Sequence, residues 1–216
     1  MRKYGINNYS KNCGIRTANY FAITVHEAAH GYVAKYFGDM TAFFQNRITL
    51  NPIKHIDLVG TILIPGLLFI SSAGFIFGWA KPVPVIFSNL RNPKKDMLWV
   101  ALAGPAANLL MAIFWTIIFS KQHFFPQNAQ NFLSVMSLAG IQINIVLMVL
   151  NLLPIPPLDG GRVAVSLLPY PLSNKLAGLE RYGFFIILFM LISGILGAIL
   201  SPLISTSQKI IFGIFA

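Results

Sequence analysis

Long apolar runs separated by short basic stretches set the layout of this chain. Met97 to Phe119, Phe132 to Leu153 and Gly183 to Leu203 each approach the roughly 20 apolar residues that a helix needs to cross a bilayer. A shorter run near Tyr20 predicts a helix from about 20 to 37, stopped by Gly38-Asp39. Leu58 to Trp79 is also apolar, but Pro65-Gly66 and Ser71-Ser72-Ala73-Gly74 interrupt it, so it reads either as a broken spanning helix or as a re-entrant hairpin of two short arms. Residues 41–57 mix β-formers with polar residues and read as extended or looped. Lys81 to Phe87 alternates loosely and predicts an edge strand, where proline is tolerated. Residues 163–182 form a mixed connector, and 204–216 a short apolar tail that could be either helix or loop. Residues 1–19 are polar and basic, without the apolar stretch of a signal peptide. The fold class is an all-α polytopic membrane protein with about four spanning helices, a re-entrant segment and a short membrane-associated β or extended region. A polar segment at 1–19 precedes a single transmembrane domain at 20–216.

Composition supports the membrane reading. The chain has 216 residues, 56% hydrophobic and 10% charged, whereas soluble domains carry about 25% charged residues. Its formal charge is +10. In a soluble chain that balance would point to nucleic acid. Here the basic residues sit in short loops between apolar runs, which fits anionic lipid and makes the bilayer the partner. The single Cys13 excludes an internal disulfide and a cysteine-based zinc site. With residues 1–19 set aside, a re-entrant 58–79 puts Lys35, Arg47, Lys54, Lys81, Arg91, Lys94, Lys95, Arg162, Lys175 and Arg181 on one side of the membrane, against Lys121 and Lys209. If 58–79 spans instead, Lys35, Arg47 and Lys54 change sides and the asymmetry nearly vanishes. The positive-inside rule therefore favours re-entry, with the basic side cytoplasmic.

The chemistry is concentrated in His26-Glu27-Ala28-Ala29-His30. Histidines four apart on a helix point about 40° from one another, so both can bind one metal ion, and the glutamate between them can act on water at that metal. In an apolar chain such residues are costly and need a reason. A hydrolytic zinc site takes three protein ligands and keeps one position open. The candidates for the third are His55, His123, Asp39, Asp57, Asp96, Asp159 and Glu180. Asp159 stands out: it follows a span in a proline-rich break, Pro154-Ile155-Pro156-Pro157-Leu158, and precedes Gly160-Gly161, so the helix must unwind there. Unwound backbone at membrane depth is tolerated where it borders a cavity. An ordinary loop with a turn aspartate has the same local signature.

Taken together, HEAAH at 26–30, GPAAN at 104–108 and NLLPIPPLDGG at 151–161 resemble the site-2 proteases, which are intramembrane zinc metalloproteases. TLNPIKHIDLVGT at 49–61, GWAKPVPV at 78–85 and LERYGF at 179–184 add to the likeness, which runs from about residue 22 onward and is greatest to compact members without a PDZ insert. The resemblance implies one Zn²⁺ per chain held by His26, His30 and Asp159, Glu27 as catalytic base, and Asn151 bonding the substrate backbone or the oxyanion. It implies transmembrane proteins as substrates and a multi-pass place in the cell membrane of a prokaryote. It also implies an inward H-E-x-x-H helix, an outward G-P-x-x-N helix and an inward Asp helix, a parity that again requires 58–79 to re-enter. For Asn108 and Asn144, hydrogen bonding between helices is the plainer expectation. His55 beside Asp57 reads as an interfacial histidine or as an outer pair around the metal. Members usually carry a longer apolar lead into the first helix. Polar residues through Asn19 stand in its place here, so that either the first helix is shortened or residues 1–19 come from an atypical start. An inactive relative acting as a substrate-binding scaffold is the alternative function, and a small transporter with broken helices is a third class.

Overall fold

The computed structural model describes residues 8–71 and 78–215. Helix α1 runs unbroken from Asn8 to Tyr36, 29 residues, or about 43 Å. It is not shortened: most of the polar segment is its first half. The reason is a stripe of every fourth residue, Gly14, Ala18, Ala22, His26, His30 and Ala34, buried throughout except at the slightly exposed His30. Small residues on one stripe admit a neighbouring helix closely, and Gly14 lies against Phe132 and Met136. Cys13, Arg16 and Thr17 face outward. Tertiary packing of the small face thus outweighs the polar composition of the other.

The remaining helices are α2 (Thr41–Phe44), α3 (Ile64–Ile70), α4 (Pro93–Ser120), α5 (Gln127–Asn151), α6 (Asp159–Leu167), α7 (Leu172–Gly178), α8 (Glu180–Ile192) and α9 (Ile195–Phe215). Among the described residues, three segments are long and apolar enough to cross a membrane: α4, α5 from Ala129, and α9. α1 has the length, but its polar first half together with His26, Glu27 and His30 lowers its hydropathy. The expected span from Gly183 to Leu203 is not one helix. Gly194, at φ 77°, stops α8, and its N–H returns to the Leu191 carbonyl at 3.2 Å. Glycine takes this left-handed conformation without a Cβ penalty. The span is α9 instead, which takes in the tail.

Contacts along the helices give their directions. His26 meets Asn108 while His30, further along α1, meets Val100, earlier in α4. α1 and α4 are therefore antiparallel. α5 starts beside Gly14 and leads to Asp159 at the histidine end, so it runs parallel to α1. Residues 37–92 consequently begin and end at the same end of the bundle. Within them a π-helical turn, Leu58–Leu63, continues into α3, ending at Ile70. These thirteen residues rise roughly 20 Å, short of the ~30 Å hydrocarbon core. The chain then returns to its start: Trp79 N–H donates to the Gly60 carbonyl at 3.1 Å, and Lys81 N–H to that of His55 at 2.9 Å.

No strand forms among the described residues. The predicted edge strand at 81–87 is an irregular strap over 78–86, because its donors go to scattered acceptors: Lys81 to His55, Val83 to Glu27, Ile86 to Asp39. Residues 41–57 hold α2 and a 3₁₀ turn, Pro52–His55, more helical than expected. Fully buried Asp39 fastens the far end of the strap, accepting from Thr41, from Ile86 N–H and from Asn89. Burial pushes its carboxyl up, but those hydrogen bonds prevail and hold it below the usual carboxylate range.

Candidate metal centre

His26 and His30 face α4 one turn apart. Asp159 reaches them because α5 ends at Asn151, a proline-rich loop turns the chain, and α6 begins at Asp159. The turn needs Gly160 and Gly161, since a Cβ on either would overlap backbone atoms of 152–156. Asp159 Oδ2 lies 3.3 Å from Nε2 of both His26 and His30, and the two Nε2 atoms are 3.1 Å apart.

Hydrogen-bond directions show what these atoms present to one another. The Gly140 carbonyl can only accept, so the Asn144 amide that meets it must be Nδ2, at 2.8 Å. Asn144 Oδ1 therefore accepts from Asn108 Nδ2 at 2.8 Å, and Asn108 Oδ1 accepts from His26 Nδ1–H at 2.6 Å. The Val100 carbonyl likewise fixes His30 Nδ1 as a donor at 2.7 Å. In its neutral form, an imidazole that donates from Nδ1 has Nε2 as its acceptor, and both Nε2 atoms face this point. Asp159 Oδ2 is buried without a hydrogen-bond partner. The two Nε2 atoms and Asp159 Oδ2 thus converge on one point, an arrangement suited to a metal cation. For zinc ligands at about 2.0–2.1 Å, the edges of a tetrahedron measure about 3.3–3.4 Å, close to the three separations observed. The donor set fits the metal, and the three residues form a group able to hold one ion.

Around this point lies a cavity of about 600 Å³. Glu27 and Asn151 both line it with the three donor residues. Glu27 Oε2 accepts from Val83 N–H at 2.7 Å. Asn151 Nδ2 donates to the Leu147 carbonyl of its own helix at 3.0 Å. The other third-ligand candidates are engaged elsewhere. Asp57 caps the π turn through Val59 and Gly60 N–H, Asp96 caps α4 through Asn92 N–H, and Glu180 pairs with Arg162. His123 is exposed. His55 is buried and bonds the Thr49 carbonyl rather than Asp57.

A family model described as Peptidase family M50 matches residues 120–192. Putative zinc metalloprotease YwhC of Bacillus subtilis (strain 168) is 37% identical over 203 residues, covering 90% of this chain and 87% of that protein. This chain belongs to peptidase family M50, the site-2 protease family. Two further M50-like relatives, both named Putative zinc metalloprotease Rip2, come from Mycolicibacterium smegmatis (31% identity; 80% of this chain, 64% of that protein) and Mycobacterium tuberculosis H37Rv (30%; 78% and 63%). No solved structure matches the chain significantly. M50 membership makes zinc the metal that the convergent donors imply, and the apolar helices make this a membrane member of the family.

Two residues beside the histidines carry more than the plain sequence reading assigned them. Asn108 is more than a bond between helices: it grips His26 directly and passes on an orientation set at Asn144. Gly104, one turn earlier on α4, leaves room for the histidine rings. The signal for both was a glycine and an asparagine four apart inside a span. Outer partners of metal-bound histidines are worth about 10–100-fold in affinity. Asn108→Leu is therefore expected to weaken zinc binding by about that factor in a chelator competition. Asn108→Asp, which keeps the acceptor, should lose much less.

Proposed function

We propose that this protein is an intramembrane zinc endopeptidase, with His26, His30 and Asp159 as the metal ligands, Glu27 as general base and acid, and Asn151 as a substrate-binding donor. The observation that carries this is the meeting of two imidazole nitrogens and one carboxylate oxygen beside a second carboxylate, Glu27, in one cavity. Zinc, when bound, supplies Lewis acidity, bringing a water's pKa toward ~7 and polarising a carbonyl. Glu27 takes the proton of the attacking water and delivers it to the departing nitrogen as the C–N bond breaks. Asn151, on the cavity wall, offers its amide to the substrate backbone. Purified protein should hold about one zinc per chain. Full zinc in Asp159→Ala would remove Asp159 from the ligand set.

The substrate is itself a transmembrane segment. Its peptide groups are closed off by helical hydrogen bonds, so it must unwind before it is cut, and the strap at 78–86 is the extended element beside the cavity against which an unwound strand can lie. The enzyme sits in the cell membrane of a prokaryote, basic loops inward. Re-entry of 58–79, of which 72–77 lie outside the described residues, is supported by the short helical part at Leu58–Ile70 and by the Trp79–Gly60 closure. In a Cys13→Ser background, single cysteines at exposed positions of 41–57 and 80–96 should label from the cytoplasmic face. Labelling of the two stretches from opposite faces would sink re-entry.

A further inference from the structure

Arg47 is a buried cation, 9% exposed, that the chemistry above leaves unused. Among the described residues it makes no ion pair with an acidic side chain. Its Nη2 donates instead to two backbone carbonyls of the strap, Lys81 at 3.0 Å and Pro82 at 3.2 Å. The peptide group that joins Pro82 to Val83 is therefore held at both ends: its oxygen accepts from Arg47, and its N–H donates to Glu27 Oε2. Residues 82 and 84 are prolines and have no N–H. Val83, itself 6% exposed, carries the only donor in the Pro-Val-Pro stretch, and that donor goes to Glu27.

A cation on a peptide oxygen polarises the whole amide and strengthens the bond its N–H makes. We propose that Arg47 is a positioning residue for Glu27, acting through the Pro82–Val83 peptide to hold one carboxylate oxygen fixed and leave the other for proton transfer. The proposal rests on the reading of Glu27 as the base. It gives a physical role to the proline pair: with the flanking N–H groups removed, no neighbouring peptide of the strap competes with Val83 for the carboxylate. Asp39 provides the comparison, since it ties the same strap at Ile86 N–H, 2.7 Å away, without touching this peptide.

Kinetics on protein reconstituted with a single-span model substrate decide the matter. Arg47→Met keeps the apolar stem and removes the donors. It should lower kcat about tenfold or more, as a misplaced catalytic group does, with KM and zinc content near wild type. Asp39→Asn, at a temperature where it stays folded, should leave kcat within about twofold of wild type. Replacing the Val83 amide by an ester, through incorporation of 2-hydroxyisovaleric acid, removes the N–H alone and should reproduce the loss; adding Arg47→Met should then cost nothing further, because both act on one bond. Wild-type kcat in Arg47→Met, an equal loss in Asp39→Asn, or a loss explained by missing zinc would overturn the proposal. Should Arg47→Met not accumulate folded, wild-type kcat in the ester still overturns the proposal, because Arg47 acts only through that N–H. Glu27→Gln keeps the two readings apart: if it cleaves, the base assignment fails, and if it is dead while both strap variants match wild type, only the role of Arg47 falls.

Discussion

Glu27→Gln is expected to hold its zinc and lose cleavage. Glu27 sits about 100° round α1 from His26, so it lies beside the ligands without being one. Its structural bond is acceptance from Val83 N–H, and a glutamine oxygen can still accept there, so the strap stays fastened and the fold survives. What glutamine cannot do is take a proton from water and return it to the leaving nitrogen. Groups in that role contribute about 10²–10⁴-fold, and a loss of at least that size is expected. His26→Ala is the contrast. It removes a donor atom, leaves Asn108 Oδ1 without its N–H and reduces the ligand set to two, so zinc and cleavage should disappear together. Metal analysis alongside cleavage of a co-expressed membrane substrate reads both variants. Cleavage by Glu27→Gln at the wild-type rate would place the base elsewhere.

Gly104→Ala should rival the loss of a ligand, although Gly104 binds nothing. A Cβ there would lie 2.5 Å from His26 Cε1 and 2.6 Å from its Nε2. Contacts that short are never tolerated, so either α4 withdraws from α1 or the rings rotate. Withdrawal stretches the bonds from His26 to Asn108 and from His30 to Val100; rotation aims the Nε2 lone pairs away from Asp159. Helix propensity works in the other direction, since alanine improves on glycine by about 1 kcal/mol in a helix. The expected outcome is a helical, expressed protein whose zinc affinity falls by more than about 100-fold, beyond the usual cost of disturbing an outer partner. Gly197→Ala in α9 is the matched control, because a Cβ there meets nothing within 4 Å. Equal zinc affinity in both variants would show that the close approach of α4 to the histidines is unimportant.

The histidine pair was legible because it is local. His26 and His30 share a face by spacing alone, and the prolines and paired glycines around Asp159 announce a break after a span. Charge gave the expected side of each loop and the expectation that 58–79 re-enters. Other features depend on contacts that no window contains. Asn108 meets His26 across 82 positions, and the Arg47–peptide–Glu27 chain joins three separate stretches. The strand at 81–87 failed because alternation forecasts exposure, not where N–H groups find acceptors. The span at 183–203 failed because one glycine in an unbroken apolar run gives no periodic signal, yet its left-handed φ ends the helix. The length of α1 was hidden by its polar composition, although the small residues at 14, 18 and 22 already marked a packing stripe.

The most direct test of the central claim is cleavage in a defined bilayer. Purified wild-type protein, reconstituted in vesicles with a single-span substrate and no other protease, should produce two fragments whose masses place the cut within or at the edge of the apolar segment. A zinc chelator should stop the reaction and added zinc restore it. Wild-type protein that carries its zinc yet leaves every such substrate intact, or that cuts only in the soluble flanks, would contradict the account.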